Sequence, residues 1–322
     1  MKKNKDKKEK VYFGGQAVIE GVMMRGSKSY AIAVRNVDTK EVSVTSKPLK
    51  KTANGFVKLP IVRGVYGFIT SMITGMKTIY ASAEMAGFDD LEEENPSRFE
   101  KWLTDKFGDK LLEVIIIFAV VVAVAVSVLL FMVLPTFLAG FAEPIVGERF
   151  WIRSVIEGLT RLVLFLIYIM LISKMKDVNK LFAYHGAEHK TINCYEAGEE
   201  LTTENVRKHS RLHKRCGTSF LLIVMIVAMV VFFFIQTNEI WLRVLSRILL
   251  VPLIAGTSYE IIRFAGRHEG RLVNLISAPG MWLQRVTTAE PDDGQIEVAV
   301  RSLERVLADE GLLVLTNGEE TE

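Results

Sequence analysis

A mainly α-helical, multi-pass membrane protein is what this chain of 322 residues predicts, on three observations. Half of the residues are apolar, and they are clumped rather than spread. Val114–Leu134 is an uncharged run of 21 residues, enough to cross roughly 30 Å of hydrocarbon as a helix. Lys and Arg alternate in density between the segments that flank the apolar runs, the pattern that orients helices in a bilayer.

The first span is expected to end at Pro135. Ser154–Ser173 is a second span, with Glu157 and Arg161 near its start. Phe220–Ile235 is uncharged but 16 residues long, so Thr218-Ser219 and Gln236-Thr237 must help it across. Ile240–Tyr259 completes a set of about four; Arg243 and Arg247 intrude and Pro252 should kink it. The segment before the first span carries 20 Lys and Arg, Lys174–Gly217 carries nine, and the tail after Tyr259 carries six. The two intervening connections carry two and none. Both termini, and the segment between spans two and three, are therefore expected on the cytoplasmic side. Charges inside spans are costly in lipid, so the ionised residues of spans two and four should pair with each other; a polar cavity for transport is the alternative.

Residues 1–11 read as a basic, disordered tail attracted to anionic lipid. Six lysines in the first ten residues have no apolar core behind them, so no cleavable signal peptide is expected. A nucleic-acid partner is not expected either, because no stacking aromatics accompany the lysines. Residues 12–58 should form a small β-unit of about three strands. Ser29–Asn36 and Glu41–Thr45 alternate around the turn-like Asp38-Thr39, and a Gly-punctuated strand covers Gln16–Met24. Residues 59–110 comprise an interfacial helix, Leu59–Ala86, and an acidic linker, Asp89–Asn95. In that helix Gly67, Ser71 and Gly75 recur every fourth residue, a face suited to close helix packing. Residues 111–259 form the four-span domain, including a cytoplasmic His-rich helical hairpin at 174–217. Residues 260–322 form a cytoplasmic tail in which Asp292 or Asp293 caps an amphipathic helix, with Val300, Leu303 and Leu307 on its buried face.

Four of the five histidines fall in that hairpin. His185 and His189 are four apart, as are His209 and His213, so each pair shares a face on a helix. His-x-x-Glu-His has the spacing of an inverted zincin: two imidazole ligands, with Glu188 as the general base that takes a proton from water. One helix running from the second span to about Glu196, stopped by Gly198, and a second from Thr202 through His213 would bring the pairs together. His213 or Cys216 would complete the set, and imidazole with thiolate favours zinc among divalent metals. Cys194 and Cys216 are expected as reduced thiols. Without an ion, the same spacing describes a solvated helix face carrying an imidazole–carboxylate contact. Glu260, 71 residues past His189, stands where inverted zincins carry a third ligand. His268 reads as an exposed loop residue.

The run Gly14-Gly15-Gln16-Ala17-Val18-Ile19-Glu20-Gly21-Val22-Met23-Met24-Arg25-Gly26, with Tyr184–Ile192 and Arg215–Phe220, resembles the YqhQ-like family of bacterial membrane proteins. Its function is unknown, although members are sometimes described as predicted metal-dependent enzymes. The resemblance covers nearly the whole chain from Tyr12, with Lys214 standing where a Pro is expected, and implies a bacterial cytoplasmic membrane location. Glu20 is expected either to face the metal or its substrate or to sit in a β-unit whose glycines serve only the fold. The expected function is a metal-dependent hydrolase acting near the bilayer on peptide or lipid. A non-enzymatic assembly scaffold for membrane-protein partners is the alternative, and a transporter the third.

Overall fold

The computed structural model describes residues 12–49, 55–88, 111–141, 144, 149–235, 240–268 and 270–313. The basic tail and the acidic linker lie outside them. The chain folds into two compact units, one of residues 1–88, 172–223 and 255–322, the other of residues 89–171 and 224–254.

The first unit is built on an antiparallel meander of four strands: β1 (Gly14–Val18), β2 (Gly21–Arg25), β3 (Ser29–Arg35) and β4 (Val42–Pro48), in chain order. The expected strand over Gln16–Met24 is therefore two. Ile19-Glu20 form a two-residue turn between the paired Val18 and Gly21, with Glu20 at a φ of 52°. Apolar residues on both sides of this turn hide it from a periodicity argument.

The two faces of the sheet bury different sets, as the strand period of two requires. Val18, Met23, Ile32 and Val34 pack beneath the end of α1 (Val62–Met85) and Ala86. Val22, Met24, Ala31 and Ala33 meet α5 (Lys176–Ala197) and α10 (Asp293–Glu310) through Tyr184, Ala187, Val298 and Leu303. Asp292 caps α10 in a reciprocal box with Gln295, and Val300, Leu303 and Leu307 are buried. At the other end Glu310 accepts backbone N–H bonds from Ser27 (2.6 Å) and Lys28 (2.7 Å), tying α10 to the β2–β3 turn.

The close helix approach of α1 is made at Gly64 and not by the expected Gly67–Ser71–Gly75 face: a Cβ on Gly64 would come within 2.9 Å of Gly256, whereas Gly67 makes ordinary contact with Tyr259, Ser71 is exposed and Gly75 faces the Gln16 side chain. Gly256 and Tyr259 lie on α8 (Ile240–Arg267), a helix that Pro252 does not interrupt. Helix α9 (Arg271–Thr287) was not expected. Its buried face includes Val273, Ser277, Leu283, Gln284 and Thr287; Pro279 and Gly280, inside the helix, give the sequence the look of a break.

In the second unit, α2 (Leu111–Val128) passes through a π-helical stretch, Leu129–Val133, into α3 (Leu134–Gly140). The first apolar helix therefore continues past Pro135 instead of ending there. Pro135 sits in the first turn of α3, where its missing N–H is least needed, and the π turn just before it absorbs the register change. On α4 (Phe150–Ile172), Glu157 pairs with Arg161 (2.9 Å) and with Arg247 (2.5 Å), and accepts from Thr136 (3.0 Å). The Arg161 Nε–H donates to the Phe131 carbonyl, and both guanidinium groups lie over the Phe232 ring. These charges pair as anticipated; the Arg243 side chain is outside the described residues.

Among the described residues, three helical stretches are long and apolar enough to cross a membrane: Phe118–Gly140, Trp151–Ile172 and Leu245–Ala265. The expected third span, α7 (Gly217–Phe233), is apolar but only 17 residues long. Nor does the second span run on to Glu196. Helix α4 ends at Ile172, Met175 is extended, and α5 begins afresh at Lys176 with Asp177 favourably placed in its first turn. Its stop is Gly198, left-handed at φ 77°.

Candidate metal centre

The polar helix α5 presents His185, Glu188 and His189 toward the interior of the first unit. Such burial of a polar face requires a close fit, and Gly186 supplies it: a Cβ there would lie 2.1 Å from the Ala289 carbonyl oxygen. Beyond Gly198 the chain forms only a six-residue helix, α6 (Thr203–Lys208), with the Thr202 side chain accepting from the Asn205 N–H. The expected helix through His213 is therefore cut short at Lys208. His209 caps it in an extended conformation, and the chain then runs irregularly to Cys216. That irregular stretch exposes backbone carbonyls that a helix would have consumed.

Two of these details fix the imidazoles. His189 Nδ1 lies 2.7 Å from the Arg211 carbonyl, and His185 Nδ1 lies 2.8 Å from the Thr287 carbonyl at the end of α9. A carbonyl can only accept, so both Nδ1 atoms carry a proton, which in the neutral form of each ring leaves the lone pair on Nε2. His185 Nε2 is 3.2 Å from Cys216 Sγ, while His189 Nε2 is buried with no hydrogen-bond partner. One ligand atom each from His185, His189 and Cys216 lie within 4.8 Å of one another.

Cys216 immediately precedes α7, and its sulfur receives the Thr218 N–H at 3.3 Å and meets Thr218 Oγ1 at 3.1 Å. Burial pushes the thiol pKa up, and the Thr218 hydroxyl with the Thr218 and Ser219 N–H groups opposes that rise. Burial, helped by the neighbouring His185 and His213, holds His189 well below the ordinary imidazole range, so it is neutral. Glu188 is pushed up to about 8, chiefly by burial and also by Cys216, against the pull of His185 and the Gly15 N–H bond. One of its oxygens, Oε2, has no partner among the described residues. Gly15 permits the approach of β1, since a Cβ there would sit 3.2 Å from the Glu188 carboxyl and 2.3 Å from the Met23 carbonyl.

His213 stands beside this group. Its ring lies 5.7 Å from that of His189, and its Nε2 faces Glu196 Oε2 at 3.7 Å. Burial lowers its pKa to about 4. Gln284 holds the His213 backbone in place, accepting from its N–H and donating to its carbonyl, both at 2.8 Å. Three further residues lie elsewhere. Glu260 pairs with Arg63, His209 faces Glu199, and Glu20 pairs with Lys180 while meeting the Tyr184 hydroxyl. Glu20 thus faces away from the imidazoles, and Glu260 does not stand as a third ligand. His268 is exposed, stacked on Phe264.

A cavity of about 670 Å³ opens onto His185 and Cys216, with Tyr12, Gly15, Arg25 and Leu181 among its lining. Residues not anticipated here are Arg211, Gln284 and Thr287. Arg211 and Thr287 act on the rings through backbone carbonyls, which leave no residue-type signature.

Apolar helices of spanning length, a small antiparallel sheet and a buried His–His–Cys cluster together define a mainly helical membrane protein with possible metal-binding groups. The chain belongs to the DUF1385 family, described as a protein of unknown function, whose model matches residues 59–309. It is 37% identical over 303 residues to the uncharacterized protein YqhQ of Bacillus subtilis (strain 168), covering 93% of each chain. No solved structure matches it.

Proposed function

We propose that this protein is a membrane-embedded, metal-dependent hydrolase in which His185, His189 and Cys216 hold a zinc-type divalent ion and Glu188 is the general base. One observation carries the reading: both imidazoles have Nδ1 tied to a carbonyl, which leaves Nε2 as the atom free to bind an ion, and one ligand atom from each ring and from Cys216 lie within 4.8 Å of one another. Ligand atoms around tetrahedral zinc lie about 3.3–3.6 Å apart, given Zn–N of about 2.0–2.1 Å and Zn–S of about 2.3 Å. The 3.2 Å between His185 and Cys216 is close to that, and the remaining separations, within 4.8 Å, need close by at most about 1.5 Å. Bound there, the ion would supply a Lewis acid to polarise the scissile group and acidify water.

Glu188 in its ionised form would take a proton from the attacking water and return it to the leaving group; a bound cation nearby would favour that form over the protonated one, which the metal-free protein holds up to about pH 8. The cavity would admit the substrate. Arg25 and Arg215 give it a cationic side, while Tyr12, Leu181 and Phe182 give it an apolar one. The substrate would be peptide or lipid at the membrane surface. Helix α1 supports that location, because Tyr66, Ile69, Met72, Ile73, Met76 and Tyr80 form an exposed apolar stripe. Gly64 and Gly67 of the same helix pack on α8, within the spanning stretch Leu245–Ala265. The Lys and Arg distribution supports a centre on the cytoplasmic side of a bacterial membrane.

The test is metal content measured beside hydrolysis of a library of membrane-anchored peptides and lipids. Glu188→Gln is expected to keep the ion and lose turnover, and His185→Ala to lose both. A wild-type protein without bound metal would end the proposal. The same α1 stripe favours a second reading, a scaffold that docks other membrane proteins. Partners that still co-purify with a His185/His189/Glu188 triple mutant of normal phenotype would select it.

A further inference from the structure

We infer a second cation site, of structural zinc type, formed by Cys194, Glu199 and His209 at the closed end of the α5–α6 hairpin. One ligand atom from each lies within 4.8 Å of the others. Local structure brings them together. Cys194 is on the last turn of α5, the left-handed Gly198 folds the chain back so that Glu199 returns over that turn, and His209 is the cap residue ending α6.

The three donors are under-used. Cys194 is fully buried, and its thiol has only a long contact, 3.6 Å, to the Glu200 carbonyl. His209 Nε2 is buried without a hydrogen bond: the Glu199 carboxylate is 3.3 Å away but misaligned. A thiolate, an imidazole and a carboxylate, with one open position for water, is a donor set that zinc accepts and that magnesium and calcium do not favour. The frame around it is rigid, since Cys194 packs with Val206, Ile296 and Val300 in a buried cluster. An ion there would clamp residues 194 and 209. The segment leaving that clamp carries the Arg211 carbonyl that orients His189, and then His213 and Cys216. The second ion would therefore hold the scaffold of the first without touching substrate.

The experiment is titration of full-length, chelator-stripped protein with Zn²⁺ alone, against a competing chromogenic chelator. Wild type is expected to take up about two ions per chain, and His209→Ala or Glu199→Gln about one. A His185→Ala/His189→Ala protein should also keep about one, held by the hairpin. Glu199 is half exposed and His209 sits at a helix end, so these variants should fold even if Cys194→Ser does not. Uptake unchanged from wild type in His209→Ala and Glu199→Gln overturns the inference. A single ion lost only with His185 and His189 also sinks it while leaving the hydrolase reading intact; a single ion lost only with His209 does the reverse.

Discussion

Glu157 and Glu188 are both buried carboxylates, 5% and 4% exposed, but their surroundings differ completely. Glu157, in an apolar helix of the second unit, is met by two guanidinium groups and a hydroxyl. Glu188, in the first unit, receives one backbone N–H and leaves Oε2 unpartnered among the described residues, as is Nε2 of His189, the next residue in the chain. A buried charge with complete partners belongs to the fold, and removing one partner is severe. Buried polar atoms left incomplete lower stability, and folds keep them where a ligand or a reaction completes them.

The largest effect should come from breaking the satisfied network. Glu157→Ala leaves Arg161 and Arg247 facing each other and should cost about 3–5 kcal/mol. It would be read as a fall in the unfolding temperature of the detergent-solubilised protein; wild-type behaviour would show that the pairing carries no weight. Glu188→Gln, by contrast, should leave that temperature unchanged or raise it.

Next is the fit that places the incomplete group. Gly186→Ala drives a methyl into the Ala289 carbonyl and should cost about 1–3 kcal/mol. It should also weaken zinc uptake, because α5 and the nearby Thr287 carbonyl move apart. Retained affinity would mean that the imidazoles are oriented by something else.

A pH dependence sharpens the same contrast. In metal-free protein the folded state holds the Glu188 proton up to about pH 8, whereas an unfolded glutamate releases it near 4.5. The folded chain thus binds more protons between these values, and stability should fall as pH rises across that window, by at most about 1.4 kcal/mol per unit. Above it the slope should vanish, and Glu188→Gln should abolish it. A flat profile in wild type would contradict the burial assigned to Glu188.

Glu310 should give the smallest effect and the opposite sign. Burial opposes its ionisation, but hydrogen bonds from Ser27 and Lys28 outweigh that and keep its pKa below the usual range. Its contribution is present above the ordinary carboxylate pKa and is lost as pH falls through the depressed value. Glu310→Gln should cost about 1–2 kcal/mol at neutral pH, read by thermal unfolding, and little in acid.

Residue spacing made part of this legible. Four-residue separation placed His185 and His189 on one helical face, and proximity in sequence put Cys216 within reach. The same reasoning narrowed the α10 cap to Asp292 or Asp293, named the buried face of that helix and expected the charges of spans two and four to pair. It failed where backbone geometry decides. The turn at Ile19-Glu20 has apolar neighbours, the break at Met175 lies in a helix-compatible stretch, and Pro279-Gly280 sit inside α9. The ring-orienting carbonyls of Arg211 and Thr287 belong to no motif, because every residue has one.

The central claim is that two neutral imidazoles and one thiolate share an ion. X-ray absorption of zinc-loaded His209→Ala protein, which removes the hairpin cluster from the signal, tests it most directly. One sulfur and two imidazole nitrogens in the zinc shell are the predicted result. A shell of oxygen alone, or one unchanged when Cys216 becomes serine, would contradict it.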